Sequence, residues 1–236
     1  MNLFLALPTY GGQRFNTAAL LAMAMHQRRF DEIIAMEIDG SLLACSFNQC
    51  LIQALKCHKE GRADFFLLMH ADIVPIDMDW LDHLMNARRE VKAQVISAVV
   101  PIKDQRGVTS TAIEGPSEWA PRRLTMAEIM AMPETFTRPD LLVNTAMLLI
   151  DLRKNNWIDK VCFTIKDAIL ELPDGERRAG VQPEDWDFSR QARAHGATLY
   201  ATRAVKLVHR GAFSYPNFAA WGSAVDPGDK PAGENP

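Results

Sequence analysis

Residues 65–75 read FFLLMHADIVP, a run apolar enough for the middle of a buried sheet that ends in two polar side chains, His70 and Asp72. A strand buried on both faces is written as a near-continuous apolar run, and such strands belong to parallel sheets covered by crossover helices. Folding alone does not call for a histidine and an aspartate at that end. In open α/β sheets, ligands bind in the crevice outside the carboxyl ends of the strands. His70 and Asp72 stand at such an end.

Working outward, short apolar runs alternate with helical patterns, as in βαβ units. LFLAL (3–7) reads as a first strand, stopped by Pro8, Gly11 and Gly12. Phe15, Ala18, Ala19, Ala22 and Met25 give a helix over about 14–28 its apolar face. EIIAMEI (32–38) is a second strand, ended by Asp39 and Gly40. Leu43, Phe47, Cys50, Leu51, Ala54 and Leu55 recur at helical spacing up to Gly61, which closes that helix. Residues 77–89 read as a helix and 93–100 as a strand.

Beyond Pro101 the alternation is lost. Thr125 and Glu128 form a capping box for a helix over 126–131, ended by Pro133. Residues 141–152 read as one strand interrupted by the polar pair Asn144–Thr145, and 171–183 as a mobile loop. Pro183 opens the helix EDWDFSRQARAH, which Gly196 terminates, and 204–210 is a last strand. These elements predict an α/β fold, one domain over 1–225 with a flexible, Pro- and Gly-rich tail over 226–236. There is no internal repeat.

Composition narrows the function classes. The chain has 236 residues, 48% of them hydrophobic, enough to bury a substantial single core. Its 26 basic and 29 acidic residues leave a charge of -3, so no electrostatic footprint for non-specific nucleic-acid or anionic-membrane binding is present. Three of four cysteines, Cys45, Cys50 and Cys57, share one predicted helix at neither metal-ligand nor disulfide-framework spacing, which reads as reduced thiols. MNLFLALPTYGG lacks a basic n-region, and no later run reaches membrane-spanning length. A soluble cytoplasmic protein is expected.

The other predicted strand ends carry Pro8, Thr9 and Tyr10, then Glu37 and Asp39, and later His209. A carboxylate and imidazoles converging there can hold a divalent cation, and that cation can neutralise a diphosphate. Each residue also has a structural reading. Asp72 suits a turn before Pro75, His209 suits a strand edge, and Glu184 and Asp185 suit the dipole of a helix start.

The order of these pieces resembles the GT-A-fold glycosyltransferases, in particular those like the inverting family 2. In that group a strand ends in a DxD motif, matched here by His70-Ala71-Asp72. The group's Glu-Asp pair at a helix start matches Glu184–Asp185 in QPEDWDF, and its late histidine matches His209 in KLVHRG. PTYGGQ and GSLLACSFNQC also fit, the latter with Phe47–Asn48 where many relatives carry Arg-Asn. The resemblance spans residues 2 to 211.

The resemblance implies a single-domain, Rossmann-like GT-A fold whose mixed, mostly parallel sheet is flanked by helices. It implies transfer of a sugar from a nucleoside-diphosphate sugar to an acceptor hydroxyl, with inversion, although retaining enzymes share the fold. Pro8, Thr9, Tyr10, Glu37, Asp39, Asn48, His70, Ala71 and Asp72 become donor-binding residues. An acidic base-reader at Asp39 suits a UDP- or GDP-sugar. Asp72 and His209 become metal ligands, and His70 either a third ligand or a ribose contact; imidazole favours Mn²⁺ over Mg²⁺. Asp185 becomes the base, with Glu184 second. A helix N-terminus lowers a carboxylate's pKa, so a working base there needs burial or a neighbouring acid to raise it.

Weaker assignments are Arg177 and Arg178 as a lid over the diphosphate and Trp186 as a sugar platform. His70 in place of the first acid leaves a catalytically degenerate nucleotide-sugar-binding module as the alternative. A nucleotidyltransferase would carry a Gly-rich loop with Arg and Lys after the first strand; PTYGGQRF has Arg14 but no downstream Pro-Lys. The acceptor is left open among a saccharide, a lipid-linked sugar, a protein and a modified nucleic-acid base. Residues 104–140, Asn144–Thr145 and the aromatic run Phe213, Tyr215, Phe218 and Trp221 would meet it, or that run would form a homodimer contact.

Overall fold

A computed structural model describes residues 1–9, 29–154, 157–172, 174–211 and 213–222. Tyr10, the predicted helix over 14–28 and the tail over 226–236 lie outside the described residues. Fifteen strands are described: β1 (Asn2–Thr9), β2 (Glu32–Asp39), β3 (Phe65–Met69), β4 (Ile73–Pro75), β5 (Val95–Ala98), β6 (Val108–Ile113), β7 (Arg122–Thr125), β8 (Thr135–Phe136), β9 (Leu141–Leu142), β10 (Met147–Asp151), β11 (Lys166–Glu171), β12 (Arg177–Gln182), β13 (Leu199–Thr202), β14 (Leu207–Arg210) and β15 (Ser214–Pro216). The described α-helices are α1 (Leu43–Lys59), α2 (Trp80–Val91), α3 (Met126–Ala131) and α4 (Glu184–Ala194).

The main sheet has seven strands in the order β2-β1-β3-β10-β5-β13-β8. Strands β2, β1 and β3 run parallel, as do β5 and β13, while β10 runs antiparallel between β3 and β5. The mixed α/β sheet flanked by helices expected from the sequence is the one observed. Three smaller sheets, β15-β14-β4, β7-β6-β9 and β11-β12, complete the described architecture.

Period-two alternation along β3 divides the core. Phe66 and Leu68 face one side, with Phe4, Leu148 and Ile150 and with Phe47, Cys50 and Leu51 of α1. Phe65, Leu67 and Met69 face the other, with Leu3, Leu5 and Leu7 and with Trp80, Leu81 and Leu84 of α2. Every residue of FFLLM is therefore buried, as that run demanded.

Two expectations are corrected. Residues 141–152 are not one strand: β9 joins β6 in a small sheet, and β10 joins the main one. The polar pair marks the crossing. The Asn144 amide donates to the Ala98 carbonyl at 2.8 Å, and its Oδ1 accepts from the Ala146 N–H at 3.1 Å. Nor is 171–183 a loop, because β11 and β12 pair antiparallel from Lys166↔Gln182 to Glu171↔Arg177. Gly175, at φ +84°, takes the left-handed conformation of the turn. Their turn residues hid two exposed strands with little apolar pattern. The capping box of α3 is present in full, with Glu128 N–H on Thr125 Oγ1 at 3.2 Å and Thr125 N–H on Glu128 Oε2 at 2.8 Å.

At the far end of the sheet, the fully buried side chain of Asp151 accepts from Arg88 and from Arg153 Nε at 2.9 Å. Both guanidinium groups lie over the Phe65 ring, at 5.4 and 4.5 Å from its centre. Removing one member of such a group strands a buried charge. Asp151→Ala is expected to lower stability by about 3–5 kcal/mol in denaturant unfolding.

Candidate functional site

The parity that buries β3 also aims its end. His70 continues the side of Phe66 and Leu68, and its ring packs on Phe47 of α1 with centroids 5.3 Å apart. Its main-chain N–H donates to the Ala146 carbonyl at 2.9 Å, while Nε2 is buried with no hydrogen-bond partner. Burial pushes this imidazole down to about 4.

The turn after His70 brings Asp72 to β14, where His209 pairs with Ile73 across the ladder. Asp72 Oδ2 lies 3.2 Å from His209 Nε2 and accepts from Lys103 Nζ at 2.6 Å. Asp72 Oδ1 is buried without a partner. Burial would raise this carboxyl, but hydrogen bonds from His209 and Lys103 and their charges outweigh it and hold it well below the usual carboxylate range.

His209 Nδ1 lies 2.7 Å from the Pro101 carbonyl. A carbonyl only accepts, so Nδ1 carries a proton and Nε2 is the ring nitrogen turned to the carboxylate. Lys103 sets a cation on the same Asp72 oxygen, and its place is built into the backbone: a Cβ on Gly211 would stand 2.9 Å from Lys103 Cδ. Sequence reading missed Lys103. Its one signal is its place, two residues beyond Pro101 and so among the strand ends.

The second half of the site is the start of α4. Ser189 anchors it, accepting from the Val143 N–H at 3.0 Å and donating to the Asp185 carbonyl at 2.8 Å. Thr145 donates to Glu184 Oε1 at 3.0 Å, and Asp185 Oδ1 accepts from the Trp186 N–H at 2.8 Å. Both acids are buried, at 7% and 9% exposure, so the helix start is not simply a solvated acidic turn. Burial raises both carboxyls, Asp185 well above the usual range with help from Glu184, while Arg123 pulls it part of the way back. Arg123, also missed, stacks 4.6 Å over the Trp186 ring, which makes Trp186 a packed side chain. Asp187 serves the fold, bonded to Thr164, Lys166 and Gln191.

Contacts link the halves. His70 meets Ala146, Thr145 meets Glu184, and Pro101, which holds His209, bridges Thr109, whose carbonyl accepts from Arg123 at 3.2 Å. The remaining candidates are placed less tightly. Thr9 is buried and donates to the Ile38 carbonyl at 3.3 Å beside buried Pro8, while Glu37 and Asp39 are exposed at the end of β2. Asn48 is committed to the backbone of Phe163 through two 2.8 Å hydrogen bonds. Ala71 is buried in the turn. Among the described residues, no three His, Cys, Asp or Glu side chains are grouped to hold a metal, so His70 does not join Asp72 and His209 in such a set. Arg177 and Arg178 stand on β12 rather than in a loop.

No family model matches the chain. No curated protein matches its sequence. Among solved structures, A197 from STIV superposes with a TM-score of 0.55 at 14% identity, over 89% of this chain and 86% of that one. A structure of S. aureus TarS 1-349 is similar at a TM-score of 0.40 and 12% identity, over 91% of this chain and 60% of that one. At this identity the likeness to A197 is one of fold alone. Among the described residues, no helix is long and apolar enough to cross a membrane.

The raised carboxyls fix a pH dependence. An unfolded carboxyl titrates at about 4. The folded chain keeps the Asp185 proton to higher pH, so above that value it binds more protons than the unfolded chain and loses stability as pH rises. Asp185→Asn removes this loss. Its thermal midpoint should exceed the parent's at pH 7, with the gap closing as pH falls to about 4.

Proposed function

We propose that this protein is a glycosyltransferase that takes a UDP- or GDP-activated sugar, with the diphosphate end of the donor at Asp72 and His209 and the acceptor hydroxyl at Asp185. The observation that carries this reading is the contact of His209 Nε2 with Asp72 Oδ2 at 3.2 Å, its other ring nitrogen spent on Pro101. That pair, with the orphaned Asp72 Oδ1 beside it, would hold a divalent cation. Such an ion, Mn²⁺ before Mg²⁺ because one ligand is an imidazole, would supply charge stabilisation to the departing diphosphate.

The chain's own residues do the rest. Thr9 and Asp39, at the ends of β1 and β2, receive the nucleoside, and the buried His70 Nε2 is a donor or acceptor for the ribose. The acceptor oxygen bonds to the anomeric carbon as the bond from that carbon to the diphosphate oxygen breaks, and the electron pair leaves with the diphosphate. Asp185 takes the acceptor's proton, a role suited to a carboxyl whose affinity for protons is raised by burial. A single displacement of this kind inverts the anomeric centre. Glu184, held by Thr145, stands beside it as a second carboxyl.

A second reading is favoured by Lys103, whose ammonium already satisfies Asp72: a protein that binds the nucleotide sugar without transferring the sugar. Calorimetry and turnover separate the two. Under the transferase reading UDP or GDP binds far better with Mn²⁺, Asp72→Ala abolishes that gain, and Asp185→Asn keeps binding but loses at least about a hundredfold in transfer and donor hydrolysis. Binding without turnover in the parent supports the second reading; turnover undiminished in both variants rejects the first.

A further inference from the structure

A cleft of ≈ 490 Å³ lies between the β6–β7 connection and the β11–β12 hairpin, lined by Ile113, Glu114, Pro116, Trp119, Arg122 and Arg178 among others. Its volume lies in the range of small-ligand sites. The wall is preformed: Gly115 approaches Ala120 so closely that a Cβ would stand 1.6 Å from the Ala120 carbonyl oxygen, and Pro116 and Pro121 flank that contact. Gly180 leaves room on the hairpin for Trp119, whose ring a Cβ there would meet at 3.1 Å.

The charge of the lining is decided by who is already paired. Glu114 is taken by Arg190, with Nε–Oε1 at 3.0 Å and Nη2–Oε2 at 2.8 Å, and Arg122 is taken by Glu128 at 2.8 Å. Arg178 is exposed, and its guanidinium has no hydrogen bond or ion pair with another described residue. It shares the inward face of β12 with Gly180 and the buried Gln182, and so stands over the cleft. One unspent guanidinium fork, a tryptophan ring and apolar walls select a ligand with a flat apolar face and an anionic substituent.

We infer that this cleft binds a saccharide bearing a phosphate or carboxylate group. β12 runs through Pro183 directly into the first turn of α4, and Arg190 of the same helix clamps the cleft wall. The cleft therefore shares its supports with Asp185. On the reading proposed above, on which this role alone rests, the bound saccharide is the acceptor.

Titration of the full-length chain with glucose 6-phosphate, glucuronic acid, glucose and inorganic phosphate, by calorimetry and without nucleotide, tests the assignment. An anionic sugar should bind at least about tenfold more tightly than glucose and than phosphate alone. Which anionic sugar binds better identifies the group. Arg178→Met should remove that tenfold preference, and Trp119→Ala should weaken the sugars but leave inorganic phosphate unchanged. Glucose binding as well as its charged analogues, an Arg178→Met variant indistinguishable from the parent, or no sugar binding at millimolar concentration overturns it. Asp72→Ala leaves this binding intact; a parent that binds the sugar but no nucleotide rejects the donor site alone, and a parent that binds nucleotide but no sugar rejects the cleft alone.

Discussion

The pairing of β10 with β3 is the constraint on which the site depends. Met147 lies opposite Met69, so the next residues along the two antiparallel strands, Ala146 and His70, meet by a 2.9 Å main-chain hydrogen bond. The residue before Ala146 is Thr145, which holds Glu184, and two residues after His70 comes Asp72, which meets His209. One ladder thus sets both halves of the site. A register slip of one residue would turn His70 and every core side chain of β3 to the opposite face, exchanging the partners of α1 and α2. Burial on both faces makes that slip costly, so the hydrophobic core enforces the geometry of the polar end.

The two aspartates meet opposite electrostatic fates in one structure. Asp72 keeps its charge because cationic neighbours outweigh its burial, whereas Asp185 is driven towards its neutral form by burial beside a second acid. The helix start, which by itself would favour ionised Asp185, is the weaker influence. Titratable groups pushed apart in this way hold their protons differently, one staying an anion and the other keeping its proton to higher pH. Asn48 shows that position in a motif is not sufficient. Its amide closes on the backbone of Phe163, which stacks on Phe188 of α4 at 4.8 Å, so its contribution is to hold α1 against the helix that carries the acids.

Much of this was legible in the sequence where burial writes a long pattern. FFLLM, LFLAL, the α1 periodicity and the Thr125–Glu128 box each specify one local structure, and each was found as read. The strands that were missed, β4, β6, β7, β8, β13 and β15, are short, and the largest has six residues, too few to establish a period of two. The hairpin was hidden because both strands are largely exposed and its turn residues dominate the composition. Lys103 and Arg123 act through partners far along the chain. No local spacing announces them.

Lys103 bears on how a site with a partly buried, ionised carboxylate is stable before any ligand arrives. An unpaired charge at Asp72 would be costly, with one oxygen already lacking a partner. His209 is a fixed neighbour, gripped by Pro101 and only 11% exposed in its side chain, whereas Lys103 is 42% exposed and lies on a flexible stem. Only Lys103 can leave without opening the core. Gly211 then has a spatial function, since a side chain there would displace the lysine stem from the groove that aims it at Asp72. On the reading proposed above, Asp72 and His209 would hold the cation and Lys103, on its flexible stem, would be free to pair with the diphosphate. Asp72 would then have a cationic partner both before and after the ligand arrives.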